Sequence, residues 1–174
     1  MSKIPAPFCR TASSNTDIEH IIYSLRRKAT QYMPFQSFTG EWLFAFKIPP
    51  FQRNFVWTEA QCVKFIESVW MGFDIGSYLV NRLPWVGKLI PEYDDFLIDG
   101  LQRITAIHKY VSNEFKVFGY YYNELDESDR RRFEGTQFTC NTVSINDIRQ
   151  LEELYDRLNY GGTPHTEEER HGML

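Results

Sequence analysis

The sequence predicts an α+β domain in which a small mixed β-sheet is flanked by helices. Apolar residues recur at helical spacing in several separate segments, and short segments rich in β-branched and aromatic residues lie between them. No repeat interrupts the series, and a chain of 174 residues, 43% of them hydrophobic, can bury one core. We therefore expect residues 1–15 to form a flexible arm and residues 16–174 to form a single domain.

The first elements are predicted from capping signals and prolines. A Thr followed three residues later by Glu or Gln forms a capping box before each of two amphipathic helices, over 16–33 and 58–72. Between them, residues 42–48 alternate loosely between apolar and polar and favour a strand, which the paired prolines at 49–50 would end. We expect a rigid extended loop after these prolines.

The second half of the chain alternates between strand and helix patterns. A helix is predicted to begin at Gly100, because Ile104, Ile107 and Val111 recur at helical spacing after it. The remaining predicted elements are strands at 78–81, 96–98, 115–122 and 137–143, and helices at 126–133, 146–158 and after Thr166.

Composition excludes several function classes. The net charge of −4 argues against a dominating basic surface that would grip duplex DNA without sequence preference. The apolar runs are too short to cross a bilayer, so we expect a soluble protein without a membrane partner. The three cysteines form no C-x-x-C pair, so we expect neither a zinc site nor a disulfide framework. The protein is therefore expected in a reducing compartment. No signal peptide is recognisable, so the expected location is the cytoplasm of a bacterium or a phage-infected host cell.

The most informative segment is D-G-L-Q-R at residues 99–103, between a buried strand and a helix. The free N–H groups and the positive dipole end of a helix N-terminus favour an anion near Gly100. Arg103 is predicted to clamp phosphate, and Gln102 to orient a phosphate oxygen or a water. Asp99 is predicted to ligate Mg²⁺, to accept a ribose hydroxyl or to cap the helix. Taken alone, the segment fits an ordinary turn before a helix equally well.

A second loop, at residues 48–57, presents Gln52 and Arg53 after the paired prolines. The prolines lower the chain entropy that binding would cost, so we expect both polar side chains to take part in ligand binding. Arg53 suits phosphate recognition or a buried ion pair. The neighbouring aromatic residues are interpreted as core anchors rather than as platforms for base stacking; they are Phe51, Phe55 and Trp57.

A third loop, at residues 157–164, contains the paired glycines Gly161 and Gly162. Paired glycines after a helix usually form a C-cap and a turn. Beside two other phosphate-suited loops, their backbone N–H groups could instead approach a ligand closely. Asn159 and Thr163 are predicted to supply neutral hydrogen bonds to a base, ribose or phosphate.

The order of these loops resembles a known family. The segments I-P-P-x-Q-R-x-x-V-W at 48–57, D-G-x-Q-R at 99–103 and R-L-N-x-G-G-T-P at 157–164 are similar to the N-terminal domain of GmrSD-type modification-dependent restriction enzymes. This family is related to the ParB and sulfiredoxin fold, and the resemblance spans about residues 38–170. It implies a ParB-like core that binds and hydrolyses nucleoside triphosphates. Leu101 replaces the first Gln of the family's D-G-Q-Q-R motif, so binding could survive while hydrolysis fails.

These features predict a nucleoside-triphosphate-binding domain with Mg²⁺-dependent NTPase activity, linked to DNA restriction or to phage defence and counter-defence. Two alternatives stay open. One is a non-catalytic DNA- or protein-binding regulator that acts as a restriction-enzyme decoy, and the other is a ParB-like nuclease or phosphotransferase. DNA, a nuclease or restriction partner protein, and a second copy of the chain are the candidate macromolecular partners. Family members usually carry an HNH nuclease domain as well, and the histidines here form no H-N-H pattern, so we expect no DNA cleavage by this chain alone.

Overall fold

The computed structural model describes residues 8–31, 40–84 and 91–160. The strands are β1 (Ala12–Ser14), β2 (Trp42–Leu43), β3 (Phe46–Lys47), β4 (Ser77–Asn81), β5 (Leu97–Asp99) and β6 (Thr139–Val143). The helices are α1 (Ile18–Gln31), α2 (Glu59–Trp70), α3 (Leu101–Val111), α4 (Glu127–Glu134) and α5 (Ile148–Tyr160). Of the helices in these ranges, none is long and apolar enough to cross a membrane.

A four-stranded sheet organises the fold, in the order β1-β6-β4-β5. The central pair, β4 and β6, is parallel, and each outer strand pairs antiparallel with its neighbour. A separate two-stranded hairpin is formed by β2 and β3. The predicted α+β class with a small mixed sheet is therefore confirmed, whereas the relation to the ParB core stays a prediction.

The sheet separates two hydrophobic clusters. Along β4, Tyr78 and Val80 face the larger cluster, to which α2 and α3 contribute, while Leu79 faces the smaller one. Leu151 and Tyr155 of α5 complete the smaller cluster. Side chains that alternate between two covered faces are expected of a strand buried on both sides. Helices thus cover both faces of the sheet at β4.

Several element boundaries differ from the sequence-based expectations. The predicted strand at 42–48 is the β2–β3 hairpin, which turns at Phe44 with a φ of 52°. Residues 12–14, placed in the expected arm, pair with β6. Helix α1 is capped by the Asp17 carboxylate, which accepts from the N–H of His20 at 2.8 Å, and not by Thr16.

The predicted strand at 115–122 is wrong. Val117 and Tyr120 form an isolated bridge around a tight turn, because Phe118 and Gly119 both have positive φ, at 50° and 87°. A 3-10 turn follows at Tyr122–Glu124. The helix expected after Thr166 lies outside the described residues.

Gly100 turns the chain from β5 into α3. Its φ is +102°, a left-handed conformation that favours glycine. A Cβ on Gly100 would lie 2.6 Å from the Cβ of Tyr78 on the adjacent strand, closer than real Cβ contacts. The strand-to-helix junction therefore requires glycine for two independent reasons.

Replacing Gly100 with alanine should lower the free energy of unfolding by about 2–4 kcal/mol, because left-handed strain and overlap with Tyr78 add. Gly72→Ala is the matched control, since its φ is +74° but a Cβ there would meet nothing within 4 Å. We expect that control to lose only about 1 kcal/mol. Equilibrium denaturation of both variants checks this, and equal losses would show that the contact with Tyr78 is unimportant.

Candidate functional site

A cavity of about 280 Å³ lies beside the N-terminus of α3. Residues from all three segments singled out in the sequence line the cavity; they are Gln52, Arg53, Trp57, Asp99, Gly100, Leu101, Gln102, Arg103 and Asn159. The third predicted loop was expected from residue 157, but α5 continues to Tyr160, so Asn159 lies in the last helical turn. The remaining predicted site residues, Gly161, Gly162 and Thr163, lie outside the described residues. The fold thus brings together segments that are separated by about fifty residues each in the chain.

The N-terminus of α3 makes one wall of this cavity positive. Gly100 is the N-cap, so the cap residue offers no side chain to accept hydrogen bonds from the first helical turn. The first intrahelical bond runs from the N–H of Ile104 to the carbonyl oxygen of Gly100 at 2.9 Å. The N–H groups of residues 101–103 precede it and have no partner within the helix. Together with the helix dipole, they favour an anion in the cavity.

Arg103 is held in place from several sides. Its Nη2 lies 3.0 Å from Oδ2 of Asp99, and its Nη1 donates to the carbonyl oxygen of Ile75 at 3.3 Å. Gly76 leaves room for the guanidinium, since a Cβ there would lie 2.5 Å from Nη1. The guanidinium carbon also lies 5.9 Å from the ring centroid of Phe138. The side chain is only 24% exposed, so its charge is oriented before any ligand arrives.

Gln102 holds the preceding loop to α3. Its Oε1 accepts hydrogen bonds from the N–H of Val56 at 2.9 Å and of Trp57 at 3.2 Å. Its Nε2 donates to the carbonyl oxygen of Asn54 at 3.1 Å. These bonds occupy both acceptor positions of the amide and one of its two donor hydrogens. The structure therefore revises the role expected of Gln102, because only one N–H remains to reach a phosphate oxygen or a water.

Arg53 and Gln52 are positioned through neutral hydrogen bonds. Gln52 donates from Nε2 to the carbonyl oxygen of Leu97 at 3.1 Å, and the backbone N–H of Arg53 donates to the hydroxyl of Tyr155 at 3.1 Å. The Arg53 side chain is exposed, and in the described parts of the chain no carboxylate lies within salt-bridge distance of it. Its charge is therefore not offset by any carboxylate of the described residues, whereas that of Arg103 is shared with Asp99.

The aromatic residues of this loop anchor it, as predicted. Phe51 packs against Tyr155 with ring centroids 5.6 Å apart, and Trp57 packs against Phe65 at 5.5 Å. Phe55 packs against the larger core cluster. Trp57 also lines the cavity, so this anchor is in a position to contact a ligand as well as the core.

Two contributors to the site were missed by the sequence reasoning. The Tyr155 hydroxyl holds the backbone of Arg53, a contact that the predicted helix at 146–158 does not by itself reveal. The polar tip of a buried tyrosine was the available signal, because such hydroxyls usually find a partner. Residues 75–76, which hold Arg103, gave no signal in the sequence because their role depends on where β4 begins.

Comparison with known protein families gives a match that covers most of the chain. The family described as the N-terminal domain of GmrSD restriction endonuclease matches residues 35–170. The matched range includes every residue that lines the cavity. No curated protein and no solved structure is significantly similar to the chain.

Replacing Gln102 with methionine should lower the free energy of unfolding by about 1–3 kcal/mol, because the variant leaves backbone groups of residues 54–57 without partners. Amide hydrogen exchange at Val56 and Trp57 should accelerate more than in the core strands. Gln150→Met, at an exposed position of α5, is the control and should change stability by less than about 0.5 kcal/mol. Unchanged exchange at Val56 would contradict the positioning role of Gln102.

Proposed function

The chain belongs to the family of GmrSD restriction endonuclease N-terminal domains, and we propose on this premise that its cavity binds and hydrolyses a nucleoside triphosphate. Membership associates the chain with DNA restriction and phage defence. The observation that carries the proposal is the meeting of Arg53, Arg103 and the N-terminus of α3 at one cavity. Each of these groups favours bound phosphate, and Arg53 comes from a part of the chain about fifty residues before the other two.

The expected chemistry is electrostatic. Phosphoryl transfer needs little covalent participation by the protein, so catalysis depends on positioning and on stabilising charge that develops on the phosphate oxygens. Arg103 suits the stabilisation of developing charge, because Asp99 and the Ile75 carbonyl hold its guanidinium before the ligand binds. Arg53 has no carboxylate partner within the described ranges, so it suits the positioning of the phosphates. The first-turn N–H groups of α3 add donors that need no reorganisation.

Mg²⁺ fits the donor set at this site. Asp99 lines the cavity, and its side chain is 46% exposed. Mg²⁺ in nucleotide sites usually takes one or two protein carboxylates and completes its shell with phosphate oxygens and water. Within the described residues there is no group of three or more metal-ligating side chains, so a closed site made of protein ligands alone is not offered there. Asp99 would hold the ion, which when bound neutralises charge on the phosphates.

A second candidate function is a non-catalytic regulator that binds nucleotide without hydrolysing it. Leu101 stands where the family motif has an amide, and it packs against the larger core cluster. The neighbouring Gln102 has committed its amide oxygen to the loop. Neither residue therefore presents a free amide oxygen that could accept a hydrogen bond from an attacking water. DNA or a restriction nuclease is the partner class that fits such a regulator.

Replacing Arg103 or Arg53 with alanine should weaken nucleoside triphosphate binding about tenfold or more. Each variant loses a hydrogen bond between a guanidinium and a charged phosphate. The measurement is calorimetric titration with ATP, GTP, CTP and UTP in the presence of Mg²⁺. Arg149→Ala, at an exposed position of α5 outside the cavity, should bind as the unmodified chain does. The proposal is rejected when none of the four nucleotides binds the unmodified chain, or when both arginine variants bind as it does.

Leu101→Gln tests whether the lost amide limits hydrolysis. We expect this variant to release phosphate at least about tenfold faster than the unmodified chain, because a positioned amide orients the attacking water. Leu101→Met keeps the apolar character and should leave the rate unchanged. Rapid hydrolysis by the unmodified chain, with no gain in Leu101→Gln, would show that another group orients the water.

A further inference from the structure

A second cavity, of about 220 Å³, adjoins the first. Arg53 and Leu101 line both, so the two spaces meet at these side chains. The second cavity extends along the outer face of α3 toward Thr105 and His108, and the β2–β3 hairpin covers it from the other side with Trp42. It is therefore an extension of the phosphate-suited cavity along one helix.

The lining of the second cavity differs in chemistry from that of the first. Aromatic and aliphatic side chains, including Trp42 and Phe55, supply apolar walls. Its lysine, Lys109, is paired with Glu114 at 2.7 Å, which offsets its charge. Glu41 adds a carboxylate that would repel phosphate. Apolar walls combined with convergent polar groups, two of them carboxylates, favour a planar organic group over a polyphosphate.

We propose that the second cavity receives the base and sugar of the nucleoside triphosphate whose phosphates lie in the first. This inference rests on the proposed function and names the ligand class more narrowly, since it requires a nucleoside and excludes inorganic polyphosphate as the preferred ligand. Arg53 stands at the junction, where the sugar meets the phosphates. The base lies between the apolar walls, and its polar edge faces the hydrogen-bonding groups of Glu41, Thr105 and His108.

The polar groups of this cavity suit a base edge. Burial lowers the pKa of His108, and the adjacent Lys109 lowers it further while Glu114 raises it. This lowering of the pKa favours the neutral imidazole, which offers one donor and one acceptor. Its ring contacts Phe44 edge to face, with centroids 4.9 Å apart, which fixes its orientation. The carboxylate of Glu41 can accept from an amino group or a ring N–H of the base.

The cavity wall formed by the hairpin is held to the sheet. The N–H of Lys47 donates to the carbonyl oxygen of Asp95 at 2.9 Å, and Lys47 forms a parallel bridge with Phe96. Trp42 pairs with Lys47 across the hairpin. The aromatic wall therefore keeps its place relative to β5 and α3 without a ligand, which reduces the ordering cost of binding.

Calorimetric titration with two probes, each in the presence of Mg²⁺, tests the proposal. The first probe is whichever of ATP, GTP, CTP and UTP binds most tightly, and the second is inorganic tripolyphosphate. The unmodified chain should bind the nucleotide at least about tenfold more tightly than tripolyphosphate, as one stacked base would contribute. Thr105→Trp fills the second cavity and should remove this difference while leaving tripolyphosphate binding unchanged. Lys64→Trp places the same side chain on an exposed face of α2 and should bind both probes normally.

The outcomes separate this inference from the function it rests on. If neither probe binds the unmodified chain, the proposed function fails, and the inference fails with it. If both probes bind the unmodified chain equally well, only the second cavity's role is overturned. The role of the second cavity is also overturned if Thr105→Trp binds the nucleotide as tightly as the unmodified chain. A cooperative unfolding transition of this variant must first show that it is folded. The comparison of the two probes on the unmodified chain needs no variant, so it decides the question even where Thr105→Trp does not fold.

Discussion

The junction between β5 and α3 is the constraint on which the site depends. Gly100 leaves the strand in a left-handed conformation, and its Cα passes so close to Tyr78 that no Cβ fits between them. This contact sets the direction in which α3 leaves the sheet. It also places Asp99 at the end of the strand and Arg103 in the first helical turn, four residues apart and on the same side. A side chain at Gly100 would shift all of these groups together.

Polar contacts hold the loops to this junction. Gln102 satisfies three backbone groups of the loop before α2, and the Tyr155 hydroxyl accepts from the backbone of Arg53. Buried polar groups are costly unless paired, so these contacts select one loop conformation more sharply than apolar packing would. The apolar anchors Phe51 and Trp57 attach the same loop to opposite sides of the domain. One side of the cavity is thus formed by a loop that is held through both its backbone and its side chains.

Local signals in the sequence were sufficient where one segment determines its own structure. The capping box of Thr58 and Gln61 is present as predicted, because both partners lie within one helical turn. The segment at 115–122 misled the same reasoning, since its aromatic residues favour a strand but Phe118 and Gly119 form a turn. The role of Gln102 depends on contacts with residues more than forty positions away, which no local pattern encodes. The motifs predicted which segments would line the cavity, whereas tertiary contacts decide which of their side chains are free to meet a ligand.

The two arginines of the cavity differ in a way that bears on mechanism. Arg103 is paired with Asp99 and fixed by a carbonyl, so a ligand gains orientation from it but must share its charge with a carboxylate. Arg53 offers an exposed charge, but its side chain must be ordered when a ligand binds. A preorganised group acts best on charge that develops during reaction, because it needs no reorganisation at that moment. Under the proposed function, Arg103 would therefore act on the reacting phosphate, and Arg53 on the part of the ligand that joins the two cavities.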